Sequence, residues 1–96
     1  MPTVRVAPAA REDLHHLVRA LNLPPGTIDR VRSRLRDLRE FPHLGPALAG
    51  RWAGFRVLLG PWPWLLIVYR YDESADQVLV VTFQDARSAS AATGPG

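Results

Sequence analysis

The feature that most constrains this chain is a change in the period of its apolar residues near residue 41. Before that point the spacing is helical. From Ala9 to Asn22, Leu14, Leu17, Val18 and Leu21 share one face, which predicts an amphipathic helix. Glu12 and Asp13 are expected in its first turns, where carboxylates suit the positive end of the helix dipole. Leu23 to Gly26 reads Leu-Pro-Pro-Gly and breaks the pattern. Thr27 is then expected to cap a second helix reaching Glu40, with Ile28, Val31, Leu35 and Leu38 as its buried stripe. So short a linker predicts an antiparallel helical hairpin.

After a loop from Phe41 to Arg51, carrying Pro42, Gly45, Pro46 and Gly50, the composition changes. Gly54 to Leu59, Trp64 to Tyr71 and Gln77 to Phe83 are rich in branched and aromatic residues, so each predicts a strand. The connections Gly60–Pro63 and Asp72–Asp76 are short, as antiparallel hairpins require. At the start, Thr3 to Ala7 alternates with Val4 and Val6 on one face, a first short strand ended by Pro8. The expected fold is α+β. It runs β-α-α-β-β-β: an N-terminal strand, a helical hairpin and a three-stranded antiparallel meander. Residues 1–88 form one domain, and the small, polar residues 89–96 are expected to be a flexible tail.

Composition narrows the function classes. All twelve basic residues are arginine and none is lysine, against nine acidic residues, for a net charge of +3. Arginine presents a planar fork to phosphate or carboxylate and stacks on flat rings, so a nucleic-acid or acidic-protein partner fits. The codon bias of a GC-rich genome produces the same arginine usage. There is no cysteine, which excludes disulfides and thiol catalysis. His15, His16 and His43 do not form a metal-ligand spacing with carboxylates, so no metal and no cofactor are expected. The N-terminal residues lack a signal-peptide pattern. The longest apolar stretch, Val57 to Val68, is broken by Pro61 and Pro63 and is too short to span a bilayer. A cytoplasmic protein with no membrane partner is the expectation.

The order of the motifs resembles the RelE/ParE superfamily of toxins from type II toxin–antitoxin pairs, and is closer to its ParE branch. Ala10, Asp13 and Leu14 are similar to the opening of the family's first helix. Phe41-Pro42-His43-Leu44-Gly45 is similar to its proline–glycine loop, and Leu48-Ala49-Gly50 with Gly54-Phe55-Arg56-Val57-Leu58 to its second strand. Trp64 to Arg70 and Val78 to Arg87 resemble its last two strands. The resemblance covers nearly the whole chain. It implies a growth-arresting toxin neutralised by direct binding of a cognate antitoxin. ParE-like members poison DNA gyrase, whereas RelE-like members cut messenger RNA on the ribosome. A non-toxic binding module with the same fold is a further alternative.

Cleavage of RNA needs groups that activate the ribose 2′-hydroxyl and stabilise a developing phosphorane. The resemblance marks Arg56, on the second strand, and Arg87, just past the last. Where it implies a second basic residue there is Leu58, and where it implies a histidine there is Gln84, which cannot shuttle a proton. Asp85, Tyr69 and Tyr71 remain as substitutes. Alternation places Tyr69 and Tyr71 on one face and Arg70 on the other. The candidate site is therefore Arg56, Arg87, Asp85 and Tyr71, as contacts to target or RNA. Each also has a purely structural reading: Arg56 as a strand arginine, the tyrosines as sheet core, and Asp85 with Arg87 as a pair. Trp52, Trp62 and Trp64 can stack on bases, anchor a hairpin or meet the antitoxin. The incomplete catalytic set tilts the expected target towards gyrase.

Overall fold

In the computed structural model, which describes residues 1–88 and 90–93, the elements follow the expected order. They are β1 (Thr3–Val6), α1 (Pro8–Ala20), α2 (Thr27–Glu40), β2 (Arg56–Leu59), β3 (Leu65–Asp72) and β4 (Gln77–Asp85), with one 3₁₀ turn at Gly50–Trp52 before β2. Pro8 sits at the start of α1, where its missing N–H costs nothing and its fixed φ suits the helix. The helix ends earlier than its apolar pattern. Asn22 takes φ 49°, the Leu23 N–H donates to the Val18 carbonyl, and the Asn22 N–H donates to that of Arg19. Those two bonds close a Schellman motif and consume the orphan carbonyls.

Two local expectations are corrected. Thr27 is not a cap. Gly26 holds the N-cap position at φ 85°, a left-handed conformation that favours glycine, and buried Thr27 donates its Oγ1 hydrogen to the Pro24 carbonyl at 2.6 Å. Glu12 and Asp13 also lie beyond the first turn of α1, and Asp13 accepts a hydrogen bond from the Thr82 hydroxyl at 2.7 Å instead.

The sheet order is β1-β4-β3-β2. The last three strands form the expected antiparallel meander, but β1 lies parallel to β4, so the whole sheet is mixed. Parallel pairing demands a crossover connection. Here the two helices supply it, carrying the chain across one face of the sheet. A register shift between Val68 and Tyr69 marks a bulge against β4.

β3 is the keystone. Leu65, Leu66, Ile67, Val68 and Tyr69 are all buried. Leu65, Ile67 and Tyr69 face the helices, packing with Leu14, Leu35 and Leu38. Leu66 and Val68 face the other way, beneath Leu48, Trp52 and Phe55. The unbroken apolar run Leu65–Val68 reflects burial on both faces. Ala91 packs into this second layer, and the Ala92 N–H donates to Gln84 Oε1 at 2.7 Å, which ties Ala91 and Ala92 to the sheet. Of the expected tail, residues 89 and 94–96 lie outside the described residues.

Candidate functional site

The candidate residues gather at two separate ends of the sheet. Arg56 begins β2, level with Tyr69 across the strand pair. Its guanidinium donates to the Gly45 carbonyl at 2.8 Å and, more weakly, to that of His43 at 3.4 Å. Tyr69 completes the lock from β3. Its hydroxyl accepts the Gly45 N–H and donates to the Pro42 carbonyl, both at 2.9 Å. The proline–glycine loop is thus fastened to the sheet by one arginine and one buried phenol. Burial pushes the Tyr69 phenol above its ordinary pKa, while the Gly45 N–H and the Arg56 charge oppose that shift.

A pH dependence follows. The fold favours the neutral phenol, so this contribution to stability is complete below pH 10 and falls as pH rises through the raised pKa. Tyr69→Phe is expected to be less stable than the parent at pH 7 yet to lose less stability between pH 9 and pH 11. Urea melts across that range check the sign of the difference.

Tyr71 stands near the same loop. The His43 ring meets it edge to face at 5.1 Å, and its hydroxyl donates to Asp76 at 2.6 Å. That bond, to an anion, raises the phenol's pKa. The His43 Nε2 also lies 3.2 Å from Glu73 Oε1, in the β3–β4 turn. Arg56 and Tyr71 therefore share one neighbourhood, built around the loop.

Asp85 and Arg87 lie at the other end. The Asp85 carboxylate accepts both prongs of the Arg87 guanidinium, at 2.8 and 2.9 Å, and the Arg87 backbone N–H at 2.9 Å. These bonds hold the Asp85 carboxyl below its usual range and push Arg87 up. The register sets Arg56 level with Tyr69 and Asp85 level with Leu65. That difference of four β3 positions is about 13 Å along the strand, and a further strand intervenes. The two arginines do not converge on one ligand atom.

Sequence reasoning missed what surrounds Arg87. The Trp62 and Trp64 rings stack at 5.7 Å with planes 8° apart. Arg30, from α2, covers Trp62 at 5.3 Å, and Arg87 covers Trp64 at 4.7 Å. The result is a four-tier stack of cation, ring, ring and cation, which clamps α2 to the end of the sheet. The available signal was the Trp-Pro-Trp spacing, which sets both indoles on one side of an extended turn. Beside it, Arg34 donates to the Leu59 carbonyl and to Asp37, both at 2.8 Å.

Chemically, the Arg87 end is cationic and aromatic and, among the described residues, has no free acid–base pair. Asp85 is committed to Arg87, and Gln84 accepts the Ala92 N–H. Among the described residues no three metal-ligating side chains cluster. No helix of the described residues is long and apolar enough to cross a membrane. Between α1 and α2 lies an open groove of about 420 Å³, floored by Leu14, Val31 and Phe83 with Arg11, His15 and Arg32 along it.

Several solved structures share this architecture. The chain is similar to a chain of the toxin–antitoxin complex RelBE2 from Mycobacterium tuberculosis, at 27% identity and TM-score 0.70, covering 88% of this chain and 99% of that one. It also resembles a YoeB/ParE toxin from Agrobacterium tumefaciens, at 16% identity and TM-score 0.67, over 86% and 96% of the two chains. A metal-bound toxin from Helicobacter pylori aligns at 22% identity and TM-score 0.66, over 88% and 94%. At those identities the last two show the shared fold. No curated protein matches the chain. A family model described as the ParE toxin of a type II toxin–antitoxin system, parDE, matches residues 4–89, from the first strand to just past Arg87. With that match spanning nearly all of the fold, the chain belongs to the ParE toxin family of type II toxin–antitoxin systems.

Proposed function

We propose that this toxin arrests bacterial growth in the cytoplasm by acting on DNA gyrase, and that a cognate antitoxin neutralises it by direct binding. The observation that carries the choice of target is the lack of acid–base chemistry where the cations gather. A ribonuclease must move a proton at the ribose and at the leaving oxygen. At the Arg87 end, Asp85 is held ionised by the arginine that would have to release it, and His43 lies beside Tyr71 near the other end. A protein target needs only complementary charge and shape. Arg87 and the indole stack then serve as a contact surface, while Arg56 holds the proline–glycine loop at the other end of the sheet.

The messenger-RNA reading keeps one observation in its favour. Stacked indoles flanked by Arg30 and Arg87 also suit an unpaired base with its phosphate. For the antitoxin, the groove between α1 and α2 offers apolar floor and basic rim, and the RelBE2 structure is itself a toxin–antitoxin complex.

Induced expression of the chain alone is expected to stop growth of a bacterial host, and co-expression of its antitoxin to restore it. Plasmid supercoiling and message integrity, followed in the same cultures, separate the targets. Loss of supercoiling with intact messages supports gyrase. Cleaved messages with normal supercoiling overturn it. Normal growth at verified folded expression removes the toxic reading altogether.

A further inference from the structure

We infer that the depression between Arg30 and Arg34 of α2 and the β2–β3 turn is a subsite for one carboxylate side chain on the surface of the protein target. The inference deepens the gyrase reading above and rests on it.

Arg30 and Arg34 lie one turn apart on α2 and, with Ser33, Asp37 and Pro61, line an open depression of about 420 Å³. Like charges at that spacing repel, and one of the two is already balanced. Arg34 donates to Asp37 and to the Leu59 carbonyl, both at 2.8 Å. Arg30 makes no hydrogen bond or ion pair among the described residues, although its guanidinium is held over Trp62 at 5.3 Å. Stacking engages the face of a guanidinium and leaves its in-plane N–H donors open. The exposed Ser33 hydroxyl beside it is also unbonded among the described residues. The turn opposite is closed on itself. The Gly60 N–H donates to the Leu65 carbonyl at 2.8 Å, and the Leu65 N–H to the Trp62 carbonyl at 3.1 Å. Cations fixed in advance lose little freedom when a ligand arrives.

Charge selects the occupant. Arg30, Arg34 and Asp37 leave one positive charge, which one carboxylate neutralises through charge-assisted hydrogen bonds. A nucleic-acid strand matches poorly. It carries a phosphate about every 3.4 Å of rise, whereas the next cation along the stack, Arg87, lies beyond two neutral indoles. A base reaches an indole face only by displacing an arginine. Around the depression the surface is apolar instead: Leu59 is 45% exposed, and Pro61 and Trp62 are half-buried. Arginine and tryptophan beside a formed pocket are the composition of a protein–protein hot spot.

The test uses the purified full chain and assembled gyrase, with direct binding measured beside a supercoiling assay. Ser33→Glu puts a carboxylate of the chain's own at i+3 from Arg30. Because position 33 is exposed, the melting temperature should stay near the parent's. Gyrase binding and inhibition should each weaken at least tenfold. Ser33→Gln, similar in size but neutral, should stay close to the parent. Arg30→Gln should weaken binding as Ser33→Glu does. Parent-like gyrase binding by Ser33→Glu overturns the inference and leaves the gyrase reading standing. Equal losses in Ser33→Glu and Ser33→Gln also overturn it, since bulk and not charge would then be the cause. So does binding of duplex DNA or a messenger fragment that Ser33→Glu abolishes, which assigns the pocket to phosphate. Loss of antitoxin binding with gyrase binding kept overturns it as well. A parent chain that arrests growth yet neither binds nor inhibits gyrase removes the target reading, and the inference with it.

Discussion

Gly45→Ala is expected to lower the melting temperature by about 12–25 °C, the response of a domain this size to a loss of roughly 3 kcal/mol or more. The reason is the closeness of the loop to the sheet. A Cβ at position 45 would stand 2.3 Å from the Val57 carbonyl oxygen and 2.7 Å from its carbon. Both are backbone atoms of β2, so no rotamer relieves the clash. The nearest side-chain atom, the Tyr69 hydroxyl at 3.1 Å, is the partner of the Gly45 N–H. Any shift that makes room therefore breaks that bond and stretches the contact between Arg56 and the Gly45 carbonyl. The core beneath should survive, because Leu38, Leu65 and Ile67 pack from other elements. The expected product is a destabilised molecule with a detached loop. Calorimetry measures the drop, and protection of the Gly45 amide from exchange should be lost first. A parent-like melt would show that the loop can lift without cost.

The second large effect concerns Arg56, where two roles make different claims. Its guanidinium holds two loop carbonyls from a partly buried position. Removing the charged donor leaves the carbonyl of buried Gly45 without this partner, at a cost of about 1.5–3 kcal/mol, whereas the exposed His43 carbonyl turns to water. Arg56→Ala is therefore expected to melt about 6–24 °C lower, whatever it does to toxicity. The contact role adds that toxicity falls further than the stability loss explains. Tyr69→Phe provides the reference, since it loosens the same loop from a buried position with no access to a target. If both variants lose toxicity in proportion to stability, Arg56 acts by holding the loop. If Arg56→Ala loses toxicity while Tyr69→Phe keeps it at matched folded protein, Arg56 touches the target. Growth curves beside thermal melts of both variants decide between these.

The sequence by itself determined the elements and the class of fold, because both depend on local periodicity. The Ile28-Val31-Leu35-Leu38 stripe places α2 and its end at Glu40, whereas its first residue is Thr27, expected as the cap. The run Leu65–Val68 marks a strand buried on both faces, which no surface strand can be. Family membership was legible for the same reason: the motifs keep their order along the chain, and the family match spans residues 4–89.

What tertiary structure alone decided are the relations between segments distant in sequence. Nothing local to Thr3–Val6 tells whether it joins the sheet parallel or antiparallel. The crossover through both helices sets that choice and leaves the β1 edge open. The four candidate residues looked like one set because each sits near a strand end. Register separates them, since Arg56 and Asp85 fall four positions apart on β3 while β2 and β4 flank it on opposite sides. The Arg30–Trp62–Trp64–Arg87 stack joins α2, a hairpin turn and the residue after β4. Its members are ordinary surface residues in sequence. Only packing α2 across the sheet brings the guanidinium groups onto the rings, where cation and quadrupole attract at short range.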